Sequence, residues 1–324
     1  MKKKKVVVVG GSGHIGSYLI PMLVTRGYET VVFSRRNTKP YPASLAWREV
    51  VWVDTDREID EKNGRWAELL EEHSPDILVD IICFEPESAR LLREVFVEKE
   101  THLLSCGTVW VYGKTEIVPT PEWASRFPQN DYSRKKMIIE KELLEATSRG
   151  EIRATVIHPG HITGPGKPFI TPFGDNNPRT IQQIINGEEI FLLDGGLSTL
   201  HHVHPRDVAA LFFRALELPR FSVRESFNCC GSHALTFLGL GRYLARLLGV
   251  EFRYQSISLE EYEERFGFPE MAALHVRQGC CVSMDKAREL LNFLPSYSPE
   301  EAVREAVEDL LKKGILKETN DEHI

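Results

Sequence analysis

A run of four valines followed at once by a glycine-rich segment constrains this chain more than any other feature. The valines at 6–9 predict a strand buried on both faces, because a strand with one exposed face would alternate apolar and polar residues. Gly10 permits a tight turn out of the strand, and Gly16 permits close packing of the following helix. Gly13 lets backbone N–H groups at the positive end of that helix approach a pyrophosphate. The spacing predicts a dinucleotide-binding loop with contacts from Gly10, Gly13, His14, Ile15 and Gly16.

Strand and helix patterns alternate through the first half of the chain. The further predicted strands lie at 30–33, 50–53, 77–83, 102–105 and 154–158. The predicted helices between them lie at 65–72, 87–98 and 132–147. This alternation is typical of an α/β protein, and we expect a Rossmann-type doubly wound parallel sheet.

The pattern loosens in the second half, where glycine and proline are dense between 160 and 178. We expect residues 1–165 to form the dinucleotide-binding domain, continued by segments within 200–232. Residues 166–324 are expected to form mainly a small α+β substrate lobe and the C-terminal helices. The strand predicted in this half lies at 226–230, and its predicted helices lie at 180–186, 207–216, 235–248, 259–266, 285–291 and 299–313.

Composition narrows the class of function. The 324 residues carry a formal net charge of −7, with lysine and arginine spread along the chain. This disfavours a nucleic-acid partner, because a duplex requires a clustered basic face. No apolar run is long enough for a membrane span or a signal peptide. The six cysteines include the adjacent pairs 229–230 and 280–281, which suit neither a disulfide framework nor a zinc site. We expect a reduced, cytoplasmic protein.

Tyr132 and Lys136 lie four residues apart in a predicted helix, so their side chains share one face. A free tyrosine, with a pKa of about 10, is a poor acid or base at neutral pH. A neighbouring ammonium favours the phenolate and is expected to lower the pKa of Tyr132. The strand predicted at 102–105 ends in small hydroxyl residues, and Thr108 follows it. These residues predict a proton-transfer site for an alcohol or a carbonyl.

The chain resembles the extended short-chain dehydrogenase/reductase family, the NAD(P)-dependent epimerase/dehydratase group. The resemblance spans most of the chain and rests on the glycine segment followed in order by Thr108, Tyr132 and Lys136. It implies that Tyr132 is the general acid/base, that Lys136 holds the nicotinamide ribose, and that Thr108 bonds the reacting oxygen. It also implies that the backbone around Pro159 and His161 lies near the nicotinamide, which supplies the hydride chemistry.

The end of the second predicted strand bears on which cofactor binds. The residues there are Ser34, Arg35 and Arg36, and no acidic residue is present to hold the ribose hydroxyls of NAD. Two guanidiniums can clamp a 2′-phosphate, so the sequence favours NADP, with NAD as the alternative. By family position, Asp54 and Thr55 are expected beside the adenine.

The substrate side departs from the family pattern. Nucleotide-sugar epimerases of this family usually carry an arginine that grips the diphosphate, and Ser198 stands in its place. Arg277 is a loosely aligned candidate for a later phosphate ligand. Trp110 and His161 are further candidate substrate contacts. Several histidines lie between 158 and 204, but no cysteine or carboxylate completes a ligand set, so we predict no metal site.

Three functions remain open from the sequence. The leading hypothesis is an epimerase or dehydratase that acts on a sugar or nucleotide sugar through transient hydride transfer. An NADPH-dependent carbonyl or alcohol oxidoreductase is the first alternative, and it would consume its cofactor stoichiometrically. A non-catalytic nucleotide-sensing or RNA-associated relative is the second, which the intact Thr108, Tyr132 and Lys136 disfavour. The resemblance also implies a homodimer formed through helices at 87–98 and 137–147.

Overall fold

The structure is a computed structural model that describes residues 3–35 and 43–317. The strands are β1 (Lys5–Val9), β2 (Glu29–Ser34), β3 (Val51–Asp54), β4 (Ile77–Asp80), β5 (His102–Cys106), β6 (Arg153–Pro159), β7 (His161–Ile162), β8 (Ile190–Leu193), β9 (Thr199–Leu200), β10 (His202–Val203), β11 (Ser226–Cys229), β12 (Leu235–Thr236) and β13 (Tyr254–Ile257). The helices are α1 (Gly16–Arg26), α2 (Arg57–Lys62), α3 (Arg65–His73), α4 (Pro86–Phe96), α5 (Asp131–Ser148), α6 (Pro178–Ile185), α7 (Pro205–Glu217), α8 (Pro219–Ser222), α9 (Phe237–Leu248), α10 (Leu259–Phe266), α11 (Glu270–Gln278), α12 (Asp285–Leu291) and α13 (Pro299–Lys312).

Seven strands form one parallel sheet in the order β3-β2-β1-β4-β5-β6-β11. The strand order reverses between β1 and β4, because the chain builds outward from β1 to β3 and then returns to the other side of β1. Ligands of such sheets bind outside the carboxyl ends of the strands at this reversal. The predicted Rossmann-type doubly wound sheet is confirmed.

The valine run explains the central place of β1. Val6 and Val8 pack into a hydrophobic core on one face of the sheet, together with α1 and α7. Val7 and Val9 pack into the core on the opposite face, with α3, α4 and α5. Successive side chains of a strand point to opposite faces, so a strand covered on both sides needs an apolar residue at every position.

Two elements near the carboxyl ends of the strands differ from the prediction. The strand expected at 77–83 ends at Asp80. The Asp80 carboxylate accepts the backbone N–H of Ile82 (3.1 Å) and pairs with Arg57 (2.7 Å), so the chain turns out of the sheet there. Residues 81–83 are apolar although they follow the end of β4, and only the N–H of Ile81 still bonds to β1, at the carbonyl oxygen of Val9 (3.2 Å). The apolar run therefore predicted too long a strand. Helix α2 was missed because its residues are mostly charged, and Asp56 caps its first turn.

The second half of the chain adds a smaller α+β layer. The two-stranded pairs β8–β13 and β9–β12 and the helices α6, α9, α11 and α13 enclose a second hydrophobic core. Strand β7 continues directly from β6 and pairs with β10, which joins this layer to the carboxyl edge of the large sheet. In the part of the chain that the structure describes, no helix has the length and apolar character needed to cross a membrane.

Candidate active site

The loop between β1 and α1 has the backbone geometry that a dinucleotide requires. Gly10 adopts φ = +77°, a left-handed conformation that favours glycine. A Cβ on Gly16 would lie 2.2 Å from the carbonyl oxygen of Gly11, so only glycine allows α1 to start so close to the strand. A Cβ on Gly13 would lie 3.2 Å from the Gly10 oxygen. The residues present therefore fit the pyrophosphate of NAD(P), which binds at a helix N-terminus approached closely by the backbone.

The side chains of His14 and Ile15 in this loop are turned toward the protein. Ile15 is buried in the core against the sheet. His14 is hydrogen-bonded through Nε2 to the carbonyl oxygen of Pro165 (2.9 Å), and burial lowers the pKa of its imidazole to about 4. Their side chains thus anchor the loop, and the backbone is left as its cofactor-facing part.

The edge beside β2 is the expected place of the adenosine ribose. The hydroxyl of Ser34 lies 2.6 Å from that of Ser12. The side chain of Arg35 is 64% exposed, and its guanidinium lies 3.6 Å from the carboxylate of Asp56. An exposed ion pair of this kind contributes at most about 1 kcal/mol, so the guanidinium can exchange this partner for another anion. Arg36 lies outside the described residues.

The expected adenine neighbours differ in exposure. Asp54 is exposed at the end of β3, whereas Thr55 is buried. The Thr55 N–H donates to the carbonyl oxygen of Ser34 (3.3 Å), and its hydroxyl donates to the carboxylate of Asp60. The side chain of Thr55 is therefore used to hold the chain after β3, while Asp54 faces solvent.

The three expected catalytic side chains meet beyond the carboxyl end of β5. The Thr108 hydroxyl lies close enough to the phenol of Tyr132 to lower its pKa. The ammonium of Lys136 lies 5.9 Å from the centre of the Tyr132 ring. Tyr132 keeps 43% of its surface exposed, yet burial around its phenol raises the pKa to about 12, and the nearby hydroxyl of Thr108 offsets only part of this rise. The expected lowering of the tyrosine pKa by Lys136 is wrong for this arrangement, because burial raises the pKa and the neighbouring thiol of Cys106 adds to it.

Lys136 is buried and held by the backbone. Its ammonium donates to the carbonyl oxygens of Cys106 (2.6 Å) and Cys83 (2.8 Å). The ring of Phe84 lies 4.7 Å from the same ammonium, within the range of a cation–π contact. Two of its three N–H donors are thus used by Cys83, three residues after β4, and by Cys106, the last residue of β5, and the third has no partner within residues 43–317.

A buried chain of hydrogen-bonded polar groups holds the backbone of Thr108 in place, and no sequence motif indicated it. The Thr108 N–H donates to Nδ1 of His158 (3.0 Å), so this imidazole carries its proton on Nε2 and donates it to Glu140 (2.9 Å). Arg126 binds the same carboxylate through two nitrogens (2.7 and 3.1 Å). Although burial alone would raise it, the pKa of Glu140 is held well below its usual range by His158 and Arg126. We call Thr108, His158, Glu140 and Arg126 the support chain.

The candidate substrate contacts are only partly brought together. The Trp110 ring centre lies 6.4 Å from that of His161 and 4.8 Å from that of His275. Arg277 is exposed, and its guanidinium lies over the ring of Phe268 (5.5 Å). It is therefore His275, two residues earlier on α11, that reaches Trp110. A buried histidine on an otherwise apolar helix face was the signal that could have found it.

At Pro159 and Ser198 the close contacts are made by the backbone and not by the side chain. Pro159 ends β6 directly before Gly160, where a Cβ would lie 2.3 Å from the carbonyl oxygen of His201. Ser198 is half-buried, and its carbonyl oxygen accepts the N–H of Phe237 at the start of α9 (3.1 Å). Across residues 3–35 and 43–317, no group of three His, Cys, Asp or Glu side chains is placed to hold a metal ion.

The fold and the site define an NAD(P)-dependent enzyme of the short-chain dehydrogenase/reductase type. The sequence model of the NAD dependent epimerase/dehydratase family matches residues 6–90 and 87–230, and the chain belongs to this family.

Two distant relatives match more than nine tenths of this chain. A UDP-glucose 4-epimerase of Rhizobium leguminosarum bv. trifolii is 25% identical over 343 residues, which cover 94% of this chain and 97% of the relative. The chloroplast stem-loop binding protein of 41 kDa b of Arabidopsis thaliana is 24% identical over 327 residues, with 98% and 82% covered. The structure of a UDP-glucose 4-epimerase with UDP-glucose from Thermotoga maritima superimposes with a TM-score of 0.72 at 22% identity, covering 95% of this chain and 99% of that one.

Proposed function

We propose that this enzyme epimerises or dehydrates a sugar or nucleotide sugar, with Tyr132 as the group that moves the proton. The observation that carries the proposal is the meeting of Tyr132, Thr108 and the buried Lys136 at the carboxyl edge of the sheet. The similarity to a UDP-glucose 4-epimerase over almost the full length supports a nucleotide sugar as substrate. When bound, NAD(P) would accept a hydride from a substrate carbon and return it.

The side chains divide the proton chemistry between them. Tyr132 takes the proton of the substrate hydroxyl and returns it to the carbonyl oxygen. The Thr108 hydroxyl, which lies beside the phenol, holds that same oxygen. With a pKa of about 12 the phenol is protonated at neutral pH, which suits it to give a proton to the carbonyl oxygen. We propose that the ammonium of Lys136, 5.9 Å from the ring centre, stabilises the phenolate that Tyr132 needs to act as a base. The third N–H donor of Lys136 would hold the nicotinamide ribose.

The remaining cofactor contacts follow from the geometry of the sheet edge. The glycine loop would hold the pyrophosphate, and the backbone after β6 would lie along the nicotinamide. The residues proposed to surround the cofactor are Gly10, Gly13, His14, Ile15, Gly16, Ser34, Arg35, Asp54, Thr55, Tyr132, Lys136, Pro159 and His161.

Replacement of Tyr132 by Phe tests the proton-transfer role. We expect Tyr132→Phe to lower the conversion of UDP-glucose or dTDP-glucose at least about 100-fold, because general acid–base catalysis is lost while the ring is kept. Tyr254→Phe is the matched control, since Tyr254 is exposed on β13 and its ring stacks on Phe252. Products are followed by NMR. Wild-type turnover by the Tyr132→Phe enzyme would exclude this mechanism.

The balance of cofactor separates the proposed reaction from a simple reduction. An epimerase or dehydratase returns the hydride, so absorbance at 340 nm should end where it began while product accumulates. A stoichiometric loss of NADPH with substrate would show that the enzyme is a carbonyl reductase instead.

The preferred cofactor is proposed to be NADP, and Arg35 tests it. The residues that end β2 include no acidic one, and the exposed guanidinium of Arg35 can leave Asp56 for a 2′-phosphate. We expect Arg35→Ala to weaken NADPH binding about tenfold, or about 1.4 kcal/mol, and to leave NADH binding unchanged. Arg48→Ala, an exposed arginine before β3, is the control. Wild-type binding of NADH as tight as NADPH would refute the preference.

A further inference from the structure

The segment that leads out of β4 reaches the buried lysine of the active site. Residues 81–84 follow β4 directly, and we call them the β4 turn. The carbonyl oxygen of Cys83 accepts a hydrogen bond from the ammonium of Lys136 (2.8 Å), and the ring of Phe84 lies 4.7 Å from that ammonium. The ring centre of Phe84 also lies 6.5 Å from that of Tyr132. The β4 turn therefore contacts both residues proposed for proton transfer.

Lys136 depends on the β4 turn because it is buried as a cation. It is 1% exposed, and no carboxylate bonds to its ammonium among residues 3–35 and 43–317. Burying an ammonium is unfavourable unless other groups replace its water. The carbonyl oxygens of Cys83 and Cys106 and the face of the Phe84 ring take that place. A shift of the β4 turn would remove one carbonyl and the ring together.

Asp80, the last residue of β4, determines how the β4 turn begins. Its carboxylate accepts the N–H of Ile82 (3.1 Å), which bends the chain out of the sheet. On the side of β1, the N–H of Ile81 bonds to the carbonyl oxygen of Val9 (3.2 Å), and a Cβ on Gly10 would lie 2.8 Å from the Ile82 side chain. The β4 turn is thus packed against the dinucleotide loop, and the Asp80 carboxylate holds it from the other side.

Arg57, at the start of α2, holds the carboxylate of Asp80 in place. One guanidinium nitrogen lies 2.7 Å from each carboxylate oxygen, and Nε bonds to Glu61 (2.7 Å). Glu61 in turn accepts the hydroxyl of Ser88 on α4 (2.7 Å), and the guanidinium lies 5.3 Å from the centre of the Trp66 ring. A lysine ammonium could keep the charge here, but it cannot reproduce the rigid fork that holds both carboxylates at once.

Stability alone does not explain this buried ion pair. The side chains of Arg57 and Asp80 are only 9% and 2% exposed. Desolvation of two such charges offsets much of their attraction, so uncharged side chains of similar volume often stabilise a fold equally well. What the pair adds is a fixed position for the carboxylate that bonds to the N–H of Ile82.

We propose that Arg57 is a positioning residue, which fixes the ammonium of Lys136 through Asp80 and the β4 turn. Three hydrogen-bonded steps connect the two cations, from Arg57 to Asp80, from Asp80 to the N–H of Ile82, and from Cys83 to Lys136. The inference rests on the proposed function, because it gives Arg57 a role in the action of Lys136 on the Tyr132 phenol.

The first test reads the Lys136 ammonium directly, by ¹H–¹⁵N NMR of the full-length enzyme labelled with ¹⁵N at lysine and loaded with NAD(P)H. The resonance is assigned by its loss in Lys136→Met. We expect Arg57→Lys to speed the exchange of the ammonium protons with water at least about tenfold, because the site opens more often. Arg214→Lys is the matched control, since Arg214 is a half-buried arginine on α7 that bonds to the carbonyl oxygen of Leu291 (2.7 Å). It should leave the exchange rate unchanged.

Turnover measures what this placement contributes to catalysis. We expect Arg57→Lys to lower kcat for UDP-glucose at least about tenfold and to change KM less than about threefold, because the lysine is misplaced while the substrate contacts remain. The double variant Arg57→Met with Asp80→Asn removes both charges and keeps an oxygen for the N–H of Ile82. Since no unpaired partner is left, its urea midpoint should stay near that of the wild type, yet the free amide should still give fast exchange and low kcat. This variant keeps the test decisive even if Arg57→Lys does not fold.

Each other outcome separates the inference from the proposed function. Wild-type exchange and wild-type kcat in the folded variants would overturn the inference, while conversion of UDP-glucose by the wild type would still support the proposed function. Fast exchange with unchanged kcat would also overturn it, because the placement of the ammonium would then not matter for turnover. A loss of kcat equal to that in Arg214→Lys would show general destabilisation and overturn it as well. Fast exchange in an enzyme that converts neither UDP-glucose nor dTDP-glucose would support the positioning of Lys136 by Arg57 and count against the proposed function.

Discussion

At Gly107 the backbone passes so close to a histidine that no side chain fits. A Cβ there would lie 2.3 Å from Nδ1 of His158, the atom that accepts the N–H of Thr108. The Gly107 N–H is itself bonded to the carbonyl oxygen of Ile157 (2.7 Å), so the backbone is held from the β6 side. A methyl group at this position would have to move His158 and would leave the Thr108 N–H unpaired.

Gly107→Ala is therefore expected to damage both stability and turnover. We expect a loss of about 1–3 kcal/mol in the free energy of unfolding, from overpacking and one unpaired N–H, and at least a tenfold lower kcat. Gly27→Ala is the control, because Gly27 has φ = +92° and a Cβ there would meet no atom within 4 Å, so strain costs about 1 kcal/mol without touching the site. Urea unfolding and kcat are measured on both. A Gly107→Ala enzyme with unchanged kcat would show that the support chain does not position Thr108.

Contacts between residues close in sequence were predictable, whereas contacts that only folding creates were not. Tyr132 and Lys136 lie on one helical face, which their spacing reveals. The support chain joins Thr108 to His158 across 50 positions and His158 to Glu140 across 18. No local pattern encodes such pairs, although a polar histidine inside an otherwise apolar strand sequence was a usable hint.

At the scale of elements, the start of α5 decides where the catalytic side chains stand. The side chain of Asn130 accepts the N–H of Ser133 (2.8 Å), and the Ser133 hydroxyl accepts the N–H of Asn130 (3.3 Å). This reciprocal capping box fixes the first turn of the helix. Tyr132 lies in that turn and Lys136 in the next, so their positions depend on the cap.

Removal of this cap is expected to lower both kcat and the free energy of unfolding. We expect Asn130→Ala to lower the free energy of unfolding by about 1 kcal/mol and to reduce kcat severalfold as the first turn frays. Asn177→Ala is matched to it, because Asn177 caps α6 by accepting the N–H of Arg179 (3.1 Å), far along the chain from Tyr132. Both variants should lose similar stability in thermal unfolding. Equal kcat in the two variants would show that the cap has no special role for the site.

The elements themselves were predictable where a pattern is uniform. The valine run and the glycine spacing identify β1 and α1 because burial on both faces and close backbone approach leave few other sequences. The end of β4 was mispredicted, since the turn there depends on Asp80 binding Arg57 from α2. An apolar pattern carries no information about a partner 23 positions away.

The whole molecule buries neutral histidines in several separate places. His102 bonds to the Thr155 hydroxyl inside the sheet (2.9 Å), and His201 bonds to the carbonyl oxygen of Gly231 (3.0 Å). His204 stacks on Tyr297 with ring centres 3.9 Å apart. These rings lie in different layers of the structure, so their protonation opposes folding at more than one point rather than at the active site alone.

Acid is therefore expected to destabilise the whole fold in a defined pH range. Burial lowers the pKa of His102, His202 and His204 to about 3 and that of His201 to about 4. In the unfolded chain these groups titrate near about 6.5, so below that pH the unfolded state binds protons that the folded state does not. Stability is then fully present above about pH 7 and is lost as pH falls toward the folded-state values, by up to about 1.4 kcal/mol per pH unit for each histidine.

Urea unfolding at pH 8, 7, 6 and 5 measures this loss. The free energy of unfolding should be level between pH 8 and 7 and fall steeply between pH 6 and 5. His102→Asn can keep a hydrogen bond to Thr155 but does not titrate, so its slope should be shallower by about 1.4 kcal/mol per pH unit. His233→Gln, on an exposed ring, should leave the slope of the wild-type protein unchanged. A free energy of unfolding that stays level down to pH 5 would contradict this prediction. The slope disappears only when the folded and unfolded states take up equal numbers of protons. These histidines would then already be protonated in the folded protein, despite their burial.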